Sequence, residues 1–266
     1  MSDARAVLEA RLAARKLAWH DIRAPLLHFV MVSYAVKPER LAAHVPLDRF
    51  DLELIETRDG PRALVSAVAF VDSGFHFAFA PFAQFDFGQT NYRLYVRDRE
   101  TGEPCAWFFG TTMGSPVVHV ARALWQIPWH EAEYRVEAEL SSRPGPERYA
   151  FFRTLARSDW GEAYIDVEDT GEPLKFEDAP GFADYDEMFL RLTHPVRGFF
   201  RRLDGRLGTY SIWHEKLSLR VARPRTLRIA LFERLGLLSF EETQTPHSVL
   251  LASRVLFHVH MPPRAV

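Results

Sequence analysis

Two stretches of this chain carry side chains able to do chemistry at spacings that bring them together. In "ARALWQIPWH" (121–130) an arginine, Arg122, lies six residues before Pro128, which is followed at once by Trp129 and His130. An imidazole at position 130 can give or take a proton near neutral pH, and an indole beside it offers a stacking surface. His119 lies three residues before Arg122, so the two are neighbours if the segment is helical. In "QTNYRLYVR" (89–97) the polar residues Gln89, Asn91, Arg93, Tyr95 and Arg97 fall at every second position. On a strand they share one face, leaving Tyr92, Leu94 and Val96 to pack on the other. Such a face is either wet or, if the sheet closes into a barrel, turned into a lumen where Arg93 can clamp a carboxylate or carbonyl oxygen.

Other candidates are sparser. Trp213 and His214 adjoin in "WHEKLSL", and His258 and His260 lie two apart on a strand-like segment. No third ligand is evident beside the histidine pair, so no metal is expected. The sequence has no glycine-rich phosphate loop, CxxC pair, HExxH or nucleophile elbow. Phenylalanines at 75, 77, 79, 82, 85 and 87 make a dense aromatic run, read as core, as subunit interface or as part of a ligand cage.

These side chains must be held by strands. "LLHFVMVSYAV", "FDLELIET", "RALVSAVAFVD", "TNYRLYVRD" and "CAWFFGTTM" read as strands, with Asp59-Gly60 a hairpin signal. "YRVEAEL", "RYAFFRTLA", "EAYIDVE" and a long "GTYSIWHEKLSLRVA" follow, and "HSVLLASRVLFHVH" closes the chain. Helices are expected at about 3–18, over "KPERLAAHV", from Ser115-Pro116 to about Trp125, around "ADYDEMFLRL" and over "RTLRIALFERLG". No repeat or linker-like shift divides the chain. The expectation is a single α+β domain over 1–266, built from hairpins with a few peripheral helices.

Composition sets bounds. The 266 residues are 47% hydrophobic and 26% charged, with a formal net charge of −2, ordinary values for a globular domain. Acids and bases alternate without a basic stripe, so no nucleic-acid partner is expected. Only Lys16, Lys37, Lys175 and Lys216 are lysines, and arginine supplies the remaining basic charge. The one cysteine, Cys105, fits a reducing compartment. The N-terminal segment lacks a continuous apolar stretch, and no run reaches the length of a membrane span. A cytoplasmic location with no membrane partner is therefore expected.

Taken in order, "HFVMVSYAVKPERLAAHVPL", "NYRLYV", "WFFGTT", "ARALWQIP" and "WHEKLSL" resemble the DUF2071 family, which looks like a branch of the acetoacetate decarboxylase-like superfamily. The resemblance implies a closed, mostly antiparallel β-barrel around a small-molecule cavity. In the decarboxylases the proline is followed by two lysines, one of which forms a Schiff base with a β-keto acid. Here those positions hold Trp129 and His130, neither of which can form an imine. Gln89 replaces an acidic residue usual two positions before the strand asparagine, and Leu217 stands where a tryptophan is usual. Asn91, Arg93, Tyr95 and His214 keep the family pattern.

The sequence therefore points to a small-molecule barrel protein. One reading is a non-Schiff-base lyase, isomerase or cyclase acting on a carbonyl or carboxylate compound. His130, Arg122 and Arg93 would supply acid–base and oxyanion chemistry. Gln89, Asn91, Tyr95, Trp129, His119, Trp213, His214 and Phe77 would line the ligand site. The alternative is a non-catalytic binding or sensory barrel. Either needs no cofactor, and a homo-oligomer is compatible with both.

Overall fold

The computed structural model describes residues 3–142 and 144–266. Its strands are β1 (Ile22–Arg23), β2 (Leu26–Val36), β3 (Phe50–Leu52), β4 (Leu54–Thr57), β5 (Gly60–Phe77), β6 (Phe85–Asp98), β7 (Pro104–Met113) and β8 (Trp129–Glu131). They continue as β9 (Glu133–Leu140), β10 (Tyr149–Arg157), β11 (Ala163–Pro173), β12 (Arg197–Arg201), β13 (Leu207–His214), β14 (Arg220–Ile229), β15 (Ser248–Val255) and β16 (Phe257–Ala265). The helices are α1 (Asp3–Ala13), α2 (Val117–Trp125), α3 (Tyr185–Thr193), α4 (Ala230–Arg234) and α5 (Phe240–Thr243).

Seven strands close a barrel in the order β5-β6-β7-β12-β13-β16-β1 and back to β5. All contacts around this ring are antiparallel except β7–β12. The seam is short, because β1 pairs through only Ile22 and Arg23 with β16 on one side and β5 on the other. A wing grows from the same sheet in the order β5-β2-β15-β14-β11-β10-β9. The long strand β5 therefore belongs to both barrel and wing.

Alternation along β5 and β6 explains how one sheet serves two cores. Val65, Ala67, Ala69, Tyr92, Leu94 and Val96 turn outward and are buried under the wing with Phe152, Ile165 and Leu227. Val68, Phe70 and Tyr95 turn inward among the residues that fill the barrel. The wing is locked to the barrel by Tyr134 of β9. Its hydroxyl meets the Oγ1 of Thr90 at 2.9 Å and that of Thr112 at 2.7 Å. The ring lies so close over Gly88 that a Cβ there would fall 2.4 Å from it. Glycine at 88 is what allows this approach.

Four expectations about elements need correction. The segment expected as a helix over "RTLRIALFERLG" is strand up to Ile229, and only Ala230–Arg234 is helical. Leu227 and Ile229 are buried while Thr226 and Arg228 are exposed, the period-two pattern of a half-buried strand against β11. The long strand expected at "GTYSIWHEKLSLRVA" breaks after His214, because residues 215–219 carry the chain from the barrel to the wing. Glu215 holds that crossing by accepting the Leu256 amide at 2.7 Å. The N-terminal helix ends at Ala13 rather than near residue 18, and "KPERLAAHV" supplies only a 3-10 turn at Pro38–Leu41.

Candidate active site

The barrel encloses a cavity of about 90 Å³, room for several waters or a small organic molecule. Most of its wall is apolar, from Phe29, Phe70, Phe75, Phe108, Trp129 and Phe257 with aliphatic neighbours. Five side chains bring polar chemistry to that wall: Asp72 from β5, Gln89, Asn91 and Arg93 from β6, and Tyr210 from β13.

The β6 trio is prearranged. The Asn91 side-chain oxygen accepts from Gln89 Nε2 at 3.0 Å and from Thr111 Oγ1 at 2.7 Å. With that oxygen occupied, the Asn91 amide nitrogen is the atom left to donate. Arg93 is braced from behind, its Nη2 donating to the Leu192 carbonyl at 3.0 Å and the Tyr95 hydroxyl at 3.3 Å. Its buried Nε has no partner among the described residues. Tyr95 backs Arg93 and bonds Ser66 at 3.0 Å, without itself reaching the cavity wall.

Asp72 is the residue sequence reasoning missed. It is 3% exposed, lines the cavity, and its Oδ2 has no hydrogen-bond partner among the described residues. Burial pushes its carboxyl well above the ordinary carboxylate range, which favours the neutral acid. The pairing register explains its position. Phe70 is opposite Gln89 and Asp72 opposite Phe87, so Asp72 is one step along the inward face from the amide. In sequence, Asp72 looks like the polar end of an apolar strand. Extending the inward series Val68, Phe70 by two would have reached it.

The two residues after Pro128 face opposite ways. β8 runs parallel to β7, with Trp129 beside Thr111 and His130 beside Thr112. Thr111 turns inward to Asn91, whereas Thr112 turns outward to Tyr134. Cross-strand partners share a face, so Trp129 enters the cavity wall and His130 does not. His130 instead stacks on Trp160 with ring centroids 4.0 Å apart and planes 5° from parallel. Desolvation, then the Arg122 and Arg234 charges, bring its pKa down to about 4.

The remaining sequence candidates divide similarly. Arg122 lies outside the cavity and donates to the Trp129 carbonyl at 2.6 Å, fixing β8 rather than a ligand. His119 is exposed beside Glu131, 3.2 Å away. Phe77 stacks on Phe79 outside the cavity lining. Trp213 donates its indole N–H to the Leu12 carbonyl at 3.0 Å. His214 lines a small adjoining space of about 30 Å³ that shares Arg93 with the main cavity. Desolvation by burial first of all draws the His214 pKa to about 4. His258 packs on Trp213, and His260 pairs with Asp21 at 2.9 Å.

No lysine lines the cavity among the described residues. Lys216 sits in the 215–219 connection with its ammonium over Phe189, and Lys175 is exposed beside Glu172.

The family model for DUF2071, an uncharacterized conserved protein, matches residues 23–256. The chain belongs to the DUF2071 family. No curated protein matches the sequence. Among solved structures, it is similar to the enduracididine biosynthesis enzyme MppR complexed with pyruvate, at 13% identity and TM-score 0.58, over 95% of this chain and 92% of that one. It is also similar to acetoacetate decarboxylase from Legionella pneumophila, at 15% identity and TM-score 0.56, covering 98% and 95%. An acetoacetate decarboxylase-like enzyme from Sphingomonas wittichii matches at 10% and 0.58, covering 94% and 95%. At these identities the DUF2071 chain shares a fold with them, the acetoacetate decarboxylase-like barrel. Among its described residues no helix is long and apolar enough to cross a membrane.

Proposed function

We propose that this DUF2071 protein is a small-molecule barrel enzyme that acts on a short carbonyl or carboxylate compound without a Schiff base, by acid and oxyanion catalysis of the lyase or isomerase type. The observation that carries this reading is Asp72, a buried carboxyl with an unpartnered oxygen on a cavity wall that also presents Arg93. A neutral carboxylic acid can donate a proton to a carbonyl oxygen as electrons move onto it. Arg93, through its unpartnered Nε, stabilises the negative charge that builds on that oxygen until the proton is transferred. Gln89 and Asn91 orient the substrate, and Trp129 covers its apolar part.

The cavity volume restricts the substrate to a few heavy atoms beyond the reacting group. Pyruvate, bound in one similar structure, is of that size. The acid–base role expected of His130 is assigned here to Asp72, because only the latter borders the cavity. The apolar predominance of the wall favours the second reading, a binding barrel without turnover.

Deuterium incorporation beside the carbonyl of short 2-oxo acids in D2O, followed by proton NMR, tests the proposal. With solvent base taking the carbon-bound proton, the wild type should speed exchange by stabilising the enol oxygen, and Asp72→Asn should slow it by about 100-fold or more, the usual worth of a positioned acid. Equal rates in the two proteins would remove Asp72 from the chemistry. Saturable binding without exchange in either would favour the binding barrel.

A further inference from the structure

Outside the barrel, on the opposite face of β7 from the cavity, lies a groove of about 460 Å³, in the range of small-molecule sites. Trp107 and Phe108 are adjacent on β7. Phe108 belongs to the wall between the two spaces, whereas Trp107 turns to the outer core. The groove is walled by His44, Trp107, Phe109 and Trp160, and its charged groups are Arg201 and Arg234.

Two features set this groove apart from an ordinary surface depression. The first is electrostatic: its lining contains no carboxylate, and neither arginine has an acidic partner among the described residues. Arg201 donates only to the Gly205 carbonyl at 3.1 Å, and Arg234 to the Asp159 carbonyl at 2.9 Å while lying over the Trp160 ring. Elsewhere this chain pairs its arginines with acids freely, as Arg99 with Asp51 and Arg153 with Asp166. The second is an orphan donor. Trp107 is 2% exposed and its indole nitrogen has no hydrogen-bond partner among the described residues. A buried N–H left unsatisfied is unfavourable, so an acceptor arriving there is favoured.

We propose that this groove is a second binding site, for a planar aromatic carboxylate. The aromatic walls stack on the ligand's ring and the two guanidinium groups take its charge by charge-assisted hydrogen bonds. The Trp107 N–H is satisfied by a ligand oxygen. His130 supports the site from behind, since it fixes the Trp160 plane by stacking on it.

The test is isothermal titration with 2-naphthoate and with its neutral isostere 2-naphthamide. Naphthoate should bind saturably and the amide about tenfold or more weaker, the worth of a charged contact. The double variant Arg201→Gln/Arg234→Gln, altered only at exposed side chains, should weaken naphthoate by about tenfold or more. Trp107→Phe should weaken it by about threefold, one neutral hydrogen bond. Arg93→Gln should leave it unchanged. Absence of saturable binding up to about 5 mM, a binding energy below about 3 kcal/mol, would overturn the proposal. So would affinity lost in Arg93→Gln and kept in the double variant, which would place the probe in the barrel.

Discussion

Asp72 and Gln89 face one cavity from adjacent strands, displaced by a single inward step because Phe70, not Asp72, is the cross-strand partner of Gln89. A diagonal pair of this kind is separated by roughly 7–8 Å at Cα, close enough for both side chains to reach one small ligand. The acid that the family pattern would place at position 89 is thus absent there, while a carboxyl remains in the cavity from the neighbouring strand.

Replacing Asp72 should stabilise the protein. The folded-state pKa of Asp72 is raised, so the neutral form's contribution is complete below the unfolded value near 3.8 and is lost as pH rises through the folded value. Asp72→Asn stays neutral throughout. Its stability should match the wild type near pH 4 and exceed it increasingly as pH rises toward the raised folded value, by about 1.4 kcal/mol per pH unit within that window. Thermal melts of both proteins at several pH values measure this, and parallel curves would contradict it.

His130 should remain neutral across the physiological range. Its folded pKa is lowered to about 4, so its contribution is present above the unfolded value near 6.5 and is lost as pH falls from there toward 4. The imidazole carbon-bound proton shifts in NMR should not titrate between pH 6 and 8. Because its site is partly open, the acid-side loss should be modest, and His130→Phe, which keeps the stack, should flatten it.

Arg93 should govern affinity in the barrel. Arg93→Met keeps the stem but removes the guanidinium, and it should weaken binding of a short 2-oxo acid by about 10- to 100-fold, the value of a charged hydrogen bond. Arg122→Met reaches the same cavity only through the Trp129 carbonyl, so its effect should be smaller and should accompany a lowered melting temperature. Titration calorimetry with both variants separates the two roles.

Tyr134 should report on the attachment of the wing. Tyr134→Phe removes a hydroxyl placed among Thr90 and Thr112 and should cost about 1–2 kcal/mol. Gly88→Ala should cost about 1–3 kcal/mol, because the new methyl meets the same ring. Denaturant unfolding curves give both values.

What could be seen in the sequence follows from periodicity. The polar series Gln89, Asn91, Arg93 and the apolar series Tyr92, Leu94, Val96 were both legible as opposite faces, since a strand repeats every two residues, but which face turns inward was not. The family resemblance supplied closure, which alternation alone does not. Two things were hidden for the same reason: they depend on which residue lies beside which. The register of β8 on β7 decides that Trp129 turns in and His130 turns out. The register of β5 on β6 brings Asp72 beside the polar trio. Arg225–Ile229 was misread because apolar spacing there suits a helix as well as a strand, and only β11 beside it settles the matter.

The double membership of β5 has a consequence for how such a protein can change. Its odd positions 65, 67 and 69 hold the wing to the barrel, and its even positions 68, 70 and 72 furnish the cavity. Along β6 the parity is reversed but the division is the same. Mutation can therefore rewrite the chemistry of the lumen, exchanging acid, amide or arginine, without disturbing the residues that specify the architecture. The scaffold behaves as a keyboard on which alternate keys are fixed and the others are free to be retuned.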